Sequence, residues 1–224
     1  MIDGGPPRRL AHRGDHRAAQ ENSVAAIEAA ARVRGCDGIE FDVRTSRDGV
    51  PVLNHDPTLA RVHDRPERVD QLTAAQLSEI GVPTLSAALA VVPHDAFLDI
   101  ELKEEPTPSF VPIVAAARGR ELTSAVVSSF DPYVLVRMSR LAPSWPRWLN
   151  THDLDERTVA QAAELGCQAI AAEYHAITRD SVRAVRARGI DVVAWTVVKA
   201  STFRRLVRLG ITAACVEGTA LEDA

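Results

Sequence analysis

Aromatic residues are scarce in this chain, at 4% of 224 positions, and the net charge is −4. A nucleic-acid groove needs stacking rings and basic surface, so that class of partner is excluded. The three cysteines, Cys36, Cys167 and Cys215, are far apart and show no C-x-x-C spacing. They give no disulfide framework and favour a reduced compartment. Long apolar runs are missing as well: none approaches the ~20 residues that cross a bilayer, and no amphipathic membrane anchor stands out. The opening stretch MIDGGPPRRLAHRG has no apolar signal-peptide core, so a cytoplasmic location is expected. What is present is an ordinary globular composition, 46% hydrophobic and 25% charged. At this length one domain over residues 1–224 with a sizeable core is expected.

After a Gly/Pro-rich start, short β-type runs alternate with Ala-rich amphipathic stretches. The β runs are residues 9–13, 37–43, 96–103, 124–130, 146–150, 168–174, 191–197 and 212–218; helical patterns fall at 22–34, 84–92, 109–118, 131–140, 155–165, 179–188 and 200–209. Asp131-Pro132 and Ser201 read as helix starts, and Gly35, Gly119, Gly166, Gly189 and Gly210 as helix stops. Such alternation implies βαβ units and parallel pairing. The run VPVLNHD is the exception. It follows the 37–43 strand after a link containing Asp48-Gly49, a hairpin signal, and a parallel return would need a crossover of roughly a dozen residues. It must therefore run antiparallel. Eight β runs remain, the number of a (β/α)8 TIM barrel. A doubly wound open sheet is the competitor, but no Gly-rich phosphate loop supports it.

Barrel active sites lie at the C-terminal strand ends, and polar residues gather there. The first strand ends His12-Arg13-Gly14. Glu40 and Asp42, as i and i+2, point to one side about 6.6 Å apart. Glu101 and Lys103 share a face in the same way, and the hairpin strand ends Asn54-His55-Asp56. Unpaired acids facing a barrel interior are costly, so three carboxylates converging at the mouth suggest a cation. All-oxygen ligation suits Mg2+ or Ca2+ rather than zinc, which leaves histidines free for proton transfer. The plainer alternative is ion pairing of these acids with Arg13, Arg44 or Lys103. His63 and His152 sit in polar loop stretches and read as structural or solvent-facing. His94 falls at the wrong end of the barrel, whereas His16 and His175 follow strands and fall near the mouth. Ser128-Ser129 lacks a nucleophile elbow and reads as packing and capping.

Taken in order, AHRG, EN-S, the E-x-D of IEFDV, NHD, VPTL, IELK, SSFDP and WT resemble the glycerophosphodiester phosphodiesterase family from about Ala11 to Thr196. The resemblance implies a (β/α)8 barrel, a divalent cation on Glu40, Asp42 and Glu101 (Mg2+ or Ca2+, with Mn2+ a further candidate) and His12 and His55 as the acid–base pair. It also implies Arg13, Lys103 and Trp195 as substrate-binding groups and Glu21 as a support of the first loop. The expected reaction is hydrolysis of a glycerophosphodiester to an alcohol and glycerol 3-phosphate.

Four departures stand out: His16 and Gln20 in the first loop, a short segment between His55 and Val82, Val197-Val198 after WT, and Cys215-Val216-Glu217-Gly218 in place of a Thr-Asp strand end. None is expected to touch the metal or histidine positions. The shortened insertion implies a thin pocket wall. The alternatives are a lysophospholipase D-like or cyclising enzyme on a larger headgroup, and a phosphate-ligand binding protein without turnover. The oligomeric state is left open.

Overall fold

The computed structural model describes residues 5–222. Nine strands follow one another along the chain: β1 (Arg8–His12), β2 (Gly38–Thr45), β3 (Pro51–Leu53), β4 (Phe97–Leu102), β5 (Ala125–Ser129), β6 (Arg147–Thr151), β7 (Ala169–Glu173), β8 (Asp191–Val197) and β9 (Ala213–Val216). All but β3 pair in parallel in the order β1-β2-β4-β5-β6-β7-β8-β9, and β9 returns to β1, so the ring closes. This is the expected TIM barrel. The short β3 lies antiparallel on β2, with Val43 opposite Leu53. Gly49, at φ +77°, makes the turn between them, as Asp48-Gly49 predicts.

The helices between strands are α1 (Val24–Ala30), α4 (Leu85–Val91), α5 (Phe110–Arg118), α6 (Pro132–Leu141), α7 (Glu156–Glu164), α8 (Arg179–Arg186) and α9 (Ala200–Leu209). Their apolar faces and the outward strand residues form the larger core cluster. Asp131 caps α6 as expected, accepting from the Tyr133 amide at 2.8 Å. Ser201 does not cap α9. That helix opens at Ala200, whose amide donates instead to Thr219 Oγ1 at 3.2 Å. The 22–34 pattern is helical only over Val24–Ala30, because the chain turns toward β2 directly afterwards.

Between β3 and α4 the chain folds into elements the periodicity did not suggest: α2 (Ala60–His63), a 3-10 turn (Val69–Gln71) and α3 (Ala74–Glu79). They close over Val52, Leu59, Val69, Leu77 and Val82, a cluster separate from the main core. Thr73 and Gln76 make a reciprocal capping box at the start of α3, a signature that is legible in TAAQ.

A third cluster joins Leu10, Val126, Trp148, Ala169, Val193 and Ala213, from six different strands. Residues so distributed can meet only inside the ring. Trp148 is the bulk of this layer, stacked 5.8 Å from Phe97, and the facing alanines make room for its indole. Two residues nearer the strand ends, the same faces carry His12, Ser128, Asn150, Ala171, Trp195 and Cys215. The interior thus changes from apolar to polar toward the mouth.

Candidate active site

β2 and β4 carry the acids. Their register sets Glu40 beside Asp99 and Asp42 beside Glu101. All four carboxylates are buried, and Asp42 is completely so. Glu40, Asp42 and Glu101 each offer an oxygen within 4.8 Å of the others. Asp99 belongs to the same inward face but was not singled out from sequence. The alternation Asp99-Glu101-Lys103 could have found it.

Two cations reach this group. Lys103 Nζ pairs with Asp42 Oδ1 at 2.9 Å and also donates to Glu101. Arg13 Nε lies 3.2 Å from Asp42 Oδ2, while the Arg13 amide donates to Glu40 Oε2 at 3.0 Å. The alternative of simple ion pairing therefore holds in part for Asp42 and Glu101. It fails for Glu40, whose Oε1 is buried without a hydrogen-bond partner, and Arg44 turns away to Glu104. Asn22 clamps Asp42 reciprocally, donating to Oδ2 at 2.7 Å and accepting from the Asp42 amide at 3.1 Å.

The charges act on one another as expected for a dry site. Burial and then the neighbouring Asp42, Glu101 and Asp99 hold the Glu40 carboxyl well above the usual range. Burial and the Asp42 charge push Glu101 up to about 7 against Lys103. Burial likewise pushes Asp99 up to about 7. For Asp42 burial acts upward too, but Lys103 and Arg13 outweigh it and hold the group below its ordinary value. With all four ionised, four carboxylates against two cations would leave two negative charges uncompensated, the charge that one divalent cation would cancel. Without one, the raised groups hold protons instead.

The two histidines flank this group, each oriented by a carboxylate at Nδ1. His12 Nδ1–H donates to Glu217 Oε1 at 2.5 Å, and its Nε2 lies 3.8 Å from Glu40 Oε2. His55 Nδ1–H donates to Asp56 Oδ1 at 2.7 Å. Glu217 corrects the sequence reading: a departure expected not to touch the histidine positions, it holds one of them. A strand-end position gives no clue to such a contact across the β9–β1 closure. His16, on the first loop, lies 3.7 Å from the other Glu217 oxygen.

Backbone geometry in the first loop supports the arrangement. Gly14 sits at φ +80°, and a Cβ there would come within 2.6 Å of the Ala26 carbonyl carbon, so no larger residue fits. Arg13 and Asn22, both at positive φ, close the loop through the Asn22 amide and the Arg13 carbonyl at 3.0 Å. Glu21 joins the two loops. It accepts from Arg13 at 2.8 Å and from Arg61 of α2 twice at 2.7 Å, while Arg61 Nε donates to Asp56 at 2.6 Å.

A cavity of about 320 Å3 opens over the acids. His12, Arg13, His55, Lys103 and Trp195 all line it, with Phe130 and His152 at its rim. His152 corrects the reading that set it aside. Its ring centroid lies 5.3 Å from Phe130 and 5.2 Å from Trp195, and these two are 5.3 Å apart. His63 stays outside, near Gln20 and the Ile80 carbonyl. His175 packs at a tilt against Tyr174 beyond the lining. No residue between 56 and 82 lines the cavity. Ser129 caps, accepting from the Asp131 amide and donating to the Leu102 carbonyl.

The family model for the glycerophosphoryl diester phosphodiesterase family matches residues 12–220. This chain belongs to that family. By family it is a phosphoric diester hydrolase. It is 28% identical to bovine glycerophosphodiester phosphodiesterase 1, over 84% of this chain and 71% of that one. It is 25% identical to the glycerophosphodiester phosphodiesterase of Caldanaerobacter subterraneus, over 90% of both. Among solved structures, an Oleispira antarctica phosphodiesterase in complex with the product sn-glycerol-3-phosphate superposes with a TM-score of 0.84, at 26% identity over 94% of this chain and 93% of that one. No helix among the described residues is long and apolar enough to cross a membrane.

Proposed function

We propose that the chain hydrolyses a glycerophosphodiester to an alcohol and glycerol 3-phosphate, with one divalent cation held by Glu40, Asp42 and Glu101 and with His12 and His55 moving protons. The carrying observation is the meeting, in one cavity, of three buried carboxylates with oxygens within 4.8 Å of one another and two histidines each oriented by its own carboxylate. The residues fit a hard cation: the donors are all oxygens, and Glu40 Oε1 is a buried acceptor without a donor. Mg2+, Ca2+ and Mn2+ all suit that donor set. When bound, the ion supplies stabilisation of the charge that grows on the phosphoryl oxygens.

The chain's own groups account for the rest. Arg13 and Lys103 line the cavity and add fixed positive charge toward a phosphodiester anion. With Nδ1–H engaged by Asp56, His55 presents Nε2 to the cavity; with Nδ1–H engaged by Glu217, His12 does the same. One takes a proton from the attacking oxygen, and the other delivers one to the departing alkoxide. The attacking oxygen is water or a neighbouring glycerol hydroxyl, and the second route passes through a cyclic phosphate. Trp195 forms a side wall, its indole fixed by donation to the Ala171 carbonyl at 2.8 Å. Glu21 keeps Arg13 oriented. The glycerol-3-phosphate complex of the Oleispira relative supports the glycerol half of the substrate.

The test is turnover of a panel of glycerophosphodiesters and lysolipids with each of the three metals. Thorough chelation and Glu40→Gln are each expected to abolish turnover together with the metal-dependent rise in melting temperature. A Glu40→Gln variant that remained fully active would refute the assignment. His12→Ala and His55→Ala are expected to fold, to keep the metal-dependent stabilisation and to lose ~10²–10⁴ in kcat.

A further inference from the structure

A second group of metal-binding side chains stands outside the cavity, apart from the buried acids. The β6–β7 register, with Asn150 beside Ala171 and Thr151 beside Ala172, sets position 152 next to position 173. Asn150 and Ala171 line the cavity. Two residues further on, His152 and Glu173 therefore project from the same strand faces at the mouth. His175 follows Glu173 after two positions. Glu173 engages both rings: its Oε2 lies 3.4 Å from His152 Nδ1, and its Oε1 lies 3.2 Å from His175 Nδ1. Hydrogen bonds from His175 and His152 hold its carboxyl below the ordinary range. Among the described residues these two rings are its only ion-pair partners. The proposed reaction uses none of the three, and neither Glu173 nor His175 lines the cavity.

We infer that His152, Glu173 and His175 form a second metal site, for one transition cation of the Zn2+ class, distinct from the acid group of Glu40, Asp42 and Glu101. The inference does not depend on the hydrolase reading. Two imidazoles and one carboxylate are donors that such an ion prefers, whereas Mg2+ and Ca2+ prefer oxygens alone. Tetrahedral bonds of ~2.0–2.1 Å place neighbouring donors roughly 3.3 Å apart, and that spacing already exists between Glu173 and each ring. The two rings sit on opposite oxygens of the carboxylate and must approach each other to share an ion. Their side chains are 69% and 67% exposed, so rotation about side-chain bonds brings them together without moving a strand. The fourth position of a tetrahedral ion is then open to water. His152 also packs 5.3 Å from Phe130 and 5.2 Å from Trp195. Drawing it to an ion takes it off those rings, so occupancy of the site reshapes the rim.

The experiment titrates Zn2+ by calorimetry into the full chain without an affinity tag, with Mg2+ in large excess to occupy hard-cation sites. The parent is compared with His152→Ala, Glu173→Gln and His175→Ala, and with the controls His16→Ala, His63→Ala and His94→Ala. Each of the first three variants is expected to lose one equivalent of Zn2+, or to bind it at least ~10-fold more weakly. The controls are expected to match the parent. Co2+ titrated in the same way should give the visible absorption of a low-coordinate ion with nitrogen ligands, and the three rim variants should lack it. The substituted side chains are exposed, so all three should melt close to the parent, and recorded melting temperatures separate loss of a ligand from loss of the fold. Equal Zn2+ binding by the parent and the rim variants would overturn the inference, as would a parent that binds no Zn2+. Loss of the equivalent in His16→Ala alone would also overturn it, because the ion would then sit at Glu217 between His16 and His12.

Discussion

His55 concentrates the electrostatics of the site in one ring. Burial pushes its imidazole below the ordinary 6.5, Lys103 adds to that, and Asp42 and Asp56 oppose it. The neutral form is thus favoured near neutral pH, which fits His55 to the acceptor's part in the proposed reaction. In the pH profile of kcat/KM the acid limb is expected below 6.5. Asp56→Asn removes one of the opposing effects and should move that limb further toward acid while lowering the maximum rate. A limb above 6.5 in the parent would refute this. Stability follows the same sign. A histidine whose folded pKa is depressed contributes stability that is present above 6.5 and lost as pH falls through the folded value. Chemical denaturation at pH 7 and at pH 5.5, compared between the parent and His55→Gln, measures that share.

The first loop and α2 are held together by Glu21, Arg61, Asp56 and Arg13, an ion-pair network rather than an apolar seam. Burial acts upward on the Glu21 carboxyl, but its hydrogen bonds and charges from Arg61 and Arg13 outweigh this and bring it from 4.5 to about 2. A depressed carboxylate stabilises above its unfolded pKa, and that contribution is lost as pH falls through the folded one. Glu21→Gln is therefore expected to cost about 1–2 kcal/mol at pH 7. The difference from the parent should shrink between pH 4.5 and about 2. Urea unfolding across that range checks it, and a pH-independent difference would remove Glu21 from the network. The small element beyond has its own core. Leu77, fully buried on the inner face of α3, should cost ~2–5 kcal/mol as Leu77→Ala. Hydrogen exchange should show the loss concentrated in residues 56–82, and uniform loss would mean that this cluster is continuous with the barrel.

At the scale of the whole barrel, Trp148 fixes how deep the cavity goes. It is 1% exposed, lies inside the ring and packs against Phe97 and the facing alanines. Trp148→Ala should cost ~3–5 kcal/mol through lost burial and the void left behind. For a chain of this size that is a fall in melting temperature of about 10 °C. Thermal unfolding by circular dichroism measures it, and a loss under ~1 kcal/mol would mean that the layer collapses freely around the gap. No segment of 56–82 walls the cavity, so contacts to a substrate come from strand ends and the first loop. Binding energy from groups remote from phosphorus is correspondingly limited.

Strand–helix alternation, the Asp48-Gly49 hairpin and the i, i+2 acids of IEFDV and IELK are local patterns, and local patterns are what a linear chain displays. Read alone, they determined a barrel, the acidic face at its mouth and the histidines at two strand ends. α2 and α3 were missed because their stripes are only four and six residues long, too short for a helical period to register. The contacts between remote segments were decided by the tertiary structure. Glu217 reaches His12 across 205 positions because β9 closes on β1. Arg61 meets Glu21 because a folded segment lies over the first loop. His152 became part of the rim because the ends of β5, β6 and β8 curve together. Spacing along the chain sets which side of a strand a residue faces, and only ring closure sets which other residues face it there.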